Sequence, residues 1–239
     1  MAKSSTTRNA IGLLAMLGLA IAGPAPAKDP PGAGQPEFWI PSDKDLLVDL
    51  PDGAHLETRR NGDINGDGIP DVAFVGGNED ARWLVVKIGY KDELDWGFEP
   101  ASINKKLDPF PLGAASLSVK KDVLVVGDLT GGTTATMATY RYRWDPKLKR
   151  MRLIGLDATT YSRTNSHDMV ETSWNLLTGA HQVVRGVVNQ AAKRDDDPAY
   201  LYSKPQRTSR KSVPVYMEDT PNPDGLVAAE SVPAGEDRD

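Results

Sequence analysis

Nine residues, Asp63-Ile64-Asn65-Gly66-Asp67-Gly68-Ile69-Pro70-Asp71, carry the clearest chemistry in the chain. Side-chain oxygens at Asp63, Asn65 and Asp67 fall on alternate positions, and Gly68 follows where a tight curl needs a permissive backbone. If the chain curls there, those oxygens, the Ile69 carbonyl and the Asp71 carboxylate converge. Such a shell of hard oxygens, without nitrogen or sulfur, suits Ca²⁺ rather than zinc. Without a cation the three aspartates would repel one another, so the metal is expected to contribute to folding. The bland alternative is that Asn61-Gly62, Asn65-Gly66 and Asp67-Gly68 are hairpin turns and nothing more. An EF-hand is excluded, because Phe74 stands where its closing glutamate would be and a strand-like run, Val72–Val75, replaces the second helix.

Other reactive types are scattered. His167 and Asp168 lie near Ser162, Ser166 and Ser173, so a serine triad can be drawn, but no nucleophile-elbow sequence accompanies it. His55 and His181 read as surface histidines on strands. Asp157, Glu171 and Glu99 are candidates for paired-carboxylate chemistry. Asp195-Asp196-Asp197 reads as a solvated acidic loop or a weak second cation site. Gly127–Gly132 offers only Asp128 as a ligand and reads as a turn. Trp83, Trp96 and Trp174 are candidate sugar platforms in an alternative reading of the chain as a glycan-binding module or hydrolase.

The elements that must hold these residues read as short strands separated by turn residues: 46–50, 54–59, 71–76, 82–90, 115–119, 123–127, 135–144, 150–157, 169–177 and 181–188. Tyr140, Tyr142 and Trp144 alternate with Arg141 and Arg143, which predicts one packed and one wet face before a turn at Asp145-Pro146-Lys147. A second hairpin turns at Thr178-Gly179, and Val213–Met217 reads as a last edge strand. The fold class is therefore all-β, with the calcium loop between two strands.

Residues 1–27 have the form of a cleaved signal peptide: Lys3 and Arg8, an apolar run of roughly 13 residues, then Ala25-Pro26-Ala27. That run is too short to span a bilayer, so the expected location is the periplasm or the exterior. Residues 28–36 form a Pro/Gly-rich lead-in, 37–217 a single all-β domain, and 218–239 an acidic tail expected to be disordered. Zero cysteine excludes disulfides, thiolate metal sites and a lipid-anchoring cysteine. The net charge is −5, or −7 without residues 1–27, which argues against nucleic acid and favours cationic protein partners.

The stretch Asn61–Val75 resembles the FG-GAP/VCBS calcium loop of integrin-α-type β-propellers. There the loop joins two strands of a blade and recurs, whereas here it occurs once, so the resemblance implies a β-propeller-like fold, with an irregular antiparallel sandwich as the alternative. More loosely, Asp108-Pro109-Phe110, Tyr140–Trp144 with Leu153-Ile154-Gly155, and Thr172–Gly179 are similar to secreted proteobacterial proteins with a single such loop. That set includes periplasmic immunity proteins that block peptidoglycan hydrolases of the lysozyme type. The signal peptide, the single cation loop, the lack of a convincing nucleophile or acid/base pair and this resemblance together point to a non-enzymatic protein that binds another protein, and the loops 158–167 and around 178–179 are the first places to mutate.

Overall fold

The computed structural model describes residues 40–93, 95–99, 103–194 and 196–231. The expected signal peptide and lead-in lie outside the described residues, as do 232–239 of the expected tail and Asp195 of the acidic loop. The chain is built mostly of antiparallel strands, as its alternating pattern predicts.

It opens with a short helix, α1 (Asp43–Leu47), where a strand was expected over 46–50. The reason is local. Ser42 and Asp45 form a reciprocal capping box, Asp45 N–H donating to the Ser42 hydroxyl at 3.3 Å and Ser42 N–H to the Asp45 carboxylate at 2.9 Å. Leu46 is thereby turned into the interior.

Strands β1 (His55–Gly62), β2 (Asp71–Gly77) and β3 (Arg82–Lys87) follow. After a two-stranded ribbon, β4 (Gly89–Lys91) with β5 (Trp96–Phe98), β6 (Ile103–Leu107) completes a four-stranded sheet in the order β1-β2-β3-β6. Strand β2 is buried along its whole length. Its Ala73 and Val75 face the main core, while Val72 and Phe74 face a second cluster with Leu46 and Val85. Both faces of this sheet are covered, so the run reads as continuously apolar rather than alternating.

A larger sheet takes the rest: β7 (Ser116–Lys120), β8 (Val123–Gly131), β9 (Thr134–Asp145), β10 (Arg150–Ser162), β11 (Met169–Asn175), β12 (Ala180–Val188), β13 (Tyr200–Tyr202), β14 (Gln206–Ser209) and β15 (Val215–Tyr216). Its spine runs β13-β12-β11-β10-β9-β8-β7, with β14 beside β12 and β15 beside β10. Both expected hairpins form, Asp145 pairing with Arg150 and Trp174 with His181. Tyr140 and Tyr142 are buried, as their period predicts. A bulge between Leu153 and Gly155 resets the alternation, so Leu153 and Leu156 both point inward.

Leu84 and Val86 from the smaller sheet share one core with Leu124, Val126, Tyr140, Tyr142 and Leu153 from the larger one. Gly127–Gly131, expected as a turn, is the continuation of β8. The chain also stays folded beyond 217. A turn of 3₁₀ helix (Met217–Asp219) and α2 (Pro223–Ser231) lie where the disordered tail was expected. Met217 enters the main core, and Val227 packs on Ala158, Val170 and Val183. Composition alone pointed to disorder because the tail's few apolar groups are spaced to fill existing gaps and form no stripe of their own. No helix among the described residues is long and apolar enough to cross a membrane.

Candidate functional site

The loop Asp63–Pro70 joins β1 to β2, whose last and first residues, Gly62 and Asp71, are paired. Gly66 and Gly68 have φ of 82° and 83°, the left-handed conformation that their place in the motif anticipates. Each polar side chain then caps nearby backbone. Asp63 accepts from the N–H groups of Gly66 (2.6 Å) and Gly68 (2.9 Å), Asn65 from Asp67 (3.0 Å), and Asp67 from Ile69 (2.8 Å). Ile64 is fully buried in the main core and fastens the loop from beneath.

Asp71 is the most constrained of the five residues. It is fully buried, one oxygen accepting from Ile64 (2.6 Å) and Asn65 (3.1 Å) and the other from Gly89 (2.8 Å). Burial pushes its carboxyl up to about 6. The three N–H groups oppose that shift, and the negative charge of Asp67 adds to it.

The donor set fits a hard cation chemically, since every candidate group offers oxygen. An oxygen that accepts one N–H keeps a second lone pair, which holds for Asp63 and Asn65 but not for the Asp71 oxygen that accepts from both Ile64 and Asn65. The arrangement itself is drawn toward its own backbone. Among the described residues no three His, Cys, Asp or Glu side chains are gathered closely enough to hold a metal. The Asn65 amide donates to Asp67 at 2.7 Å, so ligation by both requires that amide to turn over. A further carboxylate reaches the loop from outside the motif. Asp122, in the left-handed turn between β7 and β8, has its Cγ 3.5 Å from where a Cβ on Gly66 would stand. Nothing in the spacing of the sequence points to it, because the two hairpins meet only in the folded sheets.

The other sequence candidates are dispersed. His167 is bonded to the Thr134 hydroxyl (2.8 Å) and the Asp168 carbonyl (2.7 Å). Ser162 and Ser166 bond to each other, and Ser173 donates to Asp157 (2.7 Å), so the paper triad is not assembled. Asp157 also pairs with Arg141 at 2.7 Å and Glu99 with Lys149 at 3.4 Å, while Glu171 is exposed. His55 is exposed as expected, but His181 is buried between Thr172 and Thr208, beside Glu230. Burial holds its pKa below the ordinary value, with Arg210 adding to that effect and Glu230 opposing it. Trp83, Trp96 and Trp174 stand on three different sheets. Asp197 accepts from the backbone of Lys193 and Arg194.

One cluster escaped the sequence reading. Arg82 grips Glu57 through two parallel bonds (2.6 and 2.7 Å) and reaches Asp128 at 2.9 Å, with all three largely removed from solvent. Burial alone would raise Glu57, yet Arg82 and the Ala115 N–H hold it below the usual range. Burial wins at Asp128, whose pKa is raised despite Arg82. Lys105 lies nearby on β6, its pKa lowered by burial against the pull of Asp128. A signal existed in the period of β8, where Asp128 and Thr130 continue the inward positions of Leu124 and Val126.

Compared with known proteins, the chain matches no family model, no curated protein and no solved structure.

Proposed function

We propose that Asp63, Asn65, Asp67, the Ile69 carbonyl and Asp71 bind Ca²⁺, and that the ion fastens the β1–β2 corner of a periplasmic or secreted protein whose work is to bind another protein. The observation that carries the metal reading is the nine-residue loop: five oxygen donors on two left-handed glycines, closed by a fully buried aspartate. Calcium would replace the bond between Asn65 and Asp67 and offset the crowding of the aspartate charges in the loop. The sharing of one core by two sheets favours an irregular sandwich over a propeller. The partner class is the one implied by the resemblance, a cationic peptidoglycan hydrolase of the lysozyme type, which an acidic surface would steer.

Calcium at about 100 times its Kd should stabilise the wild type by roughly 2.7 kcal/mol. Asp67→Ala should lower the melting temperature in calcium buffer and remove most of the further loss on adding chelator. Equal chelator sensitivity in both proteins would refute the ligand set. For the partner, the protein should slow lysis of peptidoglycan by a lysozyme-type hydrolase and retain it in a pull-down; an inert result across such hydrolases would refute the inhibitor role while leaving the metal site standing.

A further inference from the structure

Between β6, the β8–β9 hairpin and residues 217–224 lies a cavity of about 450 Å³, within the range that takes a small molecule. Its buried lining includes Lys105, Asp128, Thr130 and Tyr140. Lys105 is the unusual member. A buried ammonium carries three N–H donors, yet among the described residues it makes one long bond, to the Thr220 carbonyl at 3.4 Å, beside the ring of Tyr140, whose centre is 5.6 Å away, and within the longer-range pull of Asp128. Such a group is short of acceptors, and a buried cation in that state favours an anionic ligand atom.

An anion by itself does not fit the rest of the lining. Glu57, Arg82, Asp128 and Lys105 together are formally neutral, so a bare anion would leave surplus negative charge in the interior. The rim leans the same way: Asp108 and Asp224 are exposed there against the single Lys106, while Glu218 is already paired with Arg150 at 2.6 Å. A ligand with opposite charges at its two ends satisfies both conditions.

We infer that this cleft binds a small zwitterion of the α-amino acid or dipeptide class, with its carboxylate at Lys105 and its ammonium toward Asp108 and Asp224. The C-terminal segment forms the outer wall, held by Met217 in the core and by the Thr220 hydroxyl against that of Tyr142 at 2.9 Å. None of the loop residues 63–71 lines the cleft, so the inference stands or falls independently of calcium.

The test is calorimetric titration of the full mature chain with alanylalanine, its N-acetyl form and its C-terminal amide, at constant ionic strength. The free dipeptide should bind at least roughly tenfold more tightly than either blocked form. Lys105→Met should weaken it by about tenfold or more, and Asp108→Asn with Asp224→Asn by about threefold. The rim pair is exposed and tests the inference even if Lys105→Met fails to fold. Absence of saturable binding by all three probes, equal affinity of the free and N-acetyl forms, or indifference to the rim substitutions would each overturn it.

Discussion

Two regions of this molecule bury an aspartate, and they solve the problem in different ways. At the β1–β2 corner, Asp71 is held by three backbone N–H groups from Ile64, Asn65 and Gly89. Beside the cleft, Asp128 is held by the guanidinium of Arg82, which also grips Glu57. Both carboxyls are pushed above their usual range by burial. The first arrangement uses fixed backbone dipoles, two from the loop and one from β4. The second joins side chains from three strands, and each loses its compensation when one is removed. A buried ion network is therefore the more fragile device, even though its individual bonds are stronger.

The largest expected effect sharpens that contrast. Arg82→Met should destabilise the protein by roughly 3–5 kcal/mol in chemical denaturation, because it strands two carboxylates away from water. Combining it with Glu57→Gln and Asp128→Leu should recover part of the loss, since neither carboxylate is then left without its guanidinium, while buried Lys105 loses the pull of Asp128. If the triple variant is no more stable than Arg82→Met, the cluster is not held by charge compensation.

A smaller effect is expected at the corner. Asp71→Ala should cost about 2–3 kcal/mol even in chelator, because three N–H groups lose their acceptor whether or not a cation is present. Asp67→Ala, by contrast, should cost little in chelator, as its partners among the described residues are the exposed Ile69 N–H and the Asn65 amide. Identical losses for the two variants in chelator would erase the distinction between an aspartate that closes the loop and one that waits for an ion.

Much of the corner was legible beforehand because its parts are close in sequence. Gly66 and Gly68 signal left-handed turns, Asp63, Asn65 and Asp67 signal capping oxygens, and the apolar run after Asp71 signals a buried strand. The same holds for the β9–β10 and β11–β12 hairpins, whose alternation and turn residues lie within one stretch of chain. Legibility failed where a local rule competed with pattern. The capping box at Ser42 made a helix of Leu46 and Leu47 despite their strand-like look, and a bulge at Leu153–Gly155 broke the parity that would have placed Leu156. It also failed for His181, whose exposure depended on Thr208 from β14 and Glu230 from α2.

The amino-acid order by itself determined the all-β character, the hairpins and the oxygen-rich loop, since periodicity, turn chemistry and capping act over a few neighbouring residues. Only the tertiary structure decided that Glu57, Arg82, Lys105 and Asp128 would meet, that Asp122 would approach Gly66, and that the acidic C-terminal segment would close a cleft rather than trail in solvent. Charge and burial at those places depend on which strands become neighbours, and that is settled by the packing of two sheets on one core.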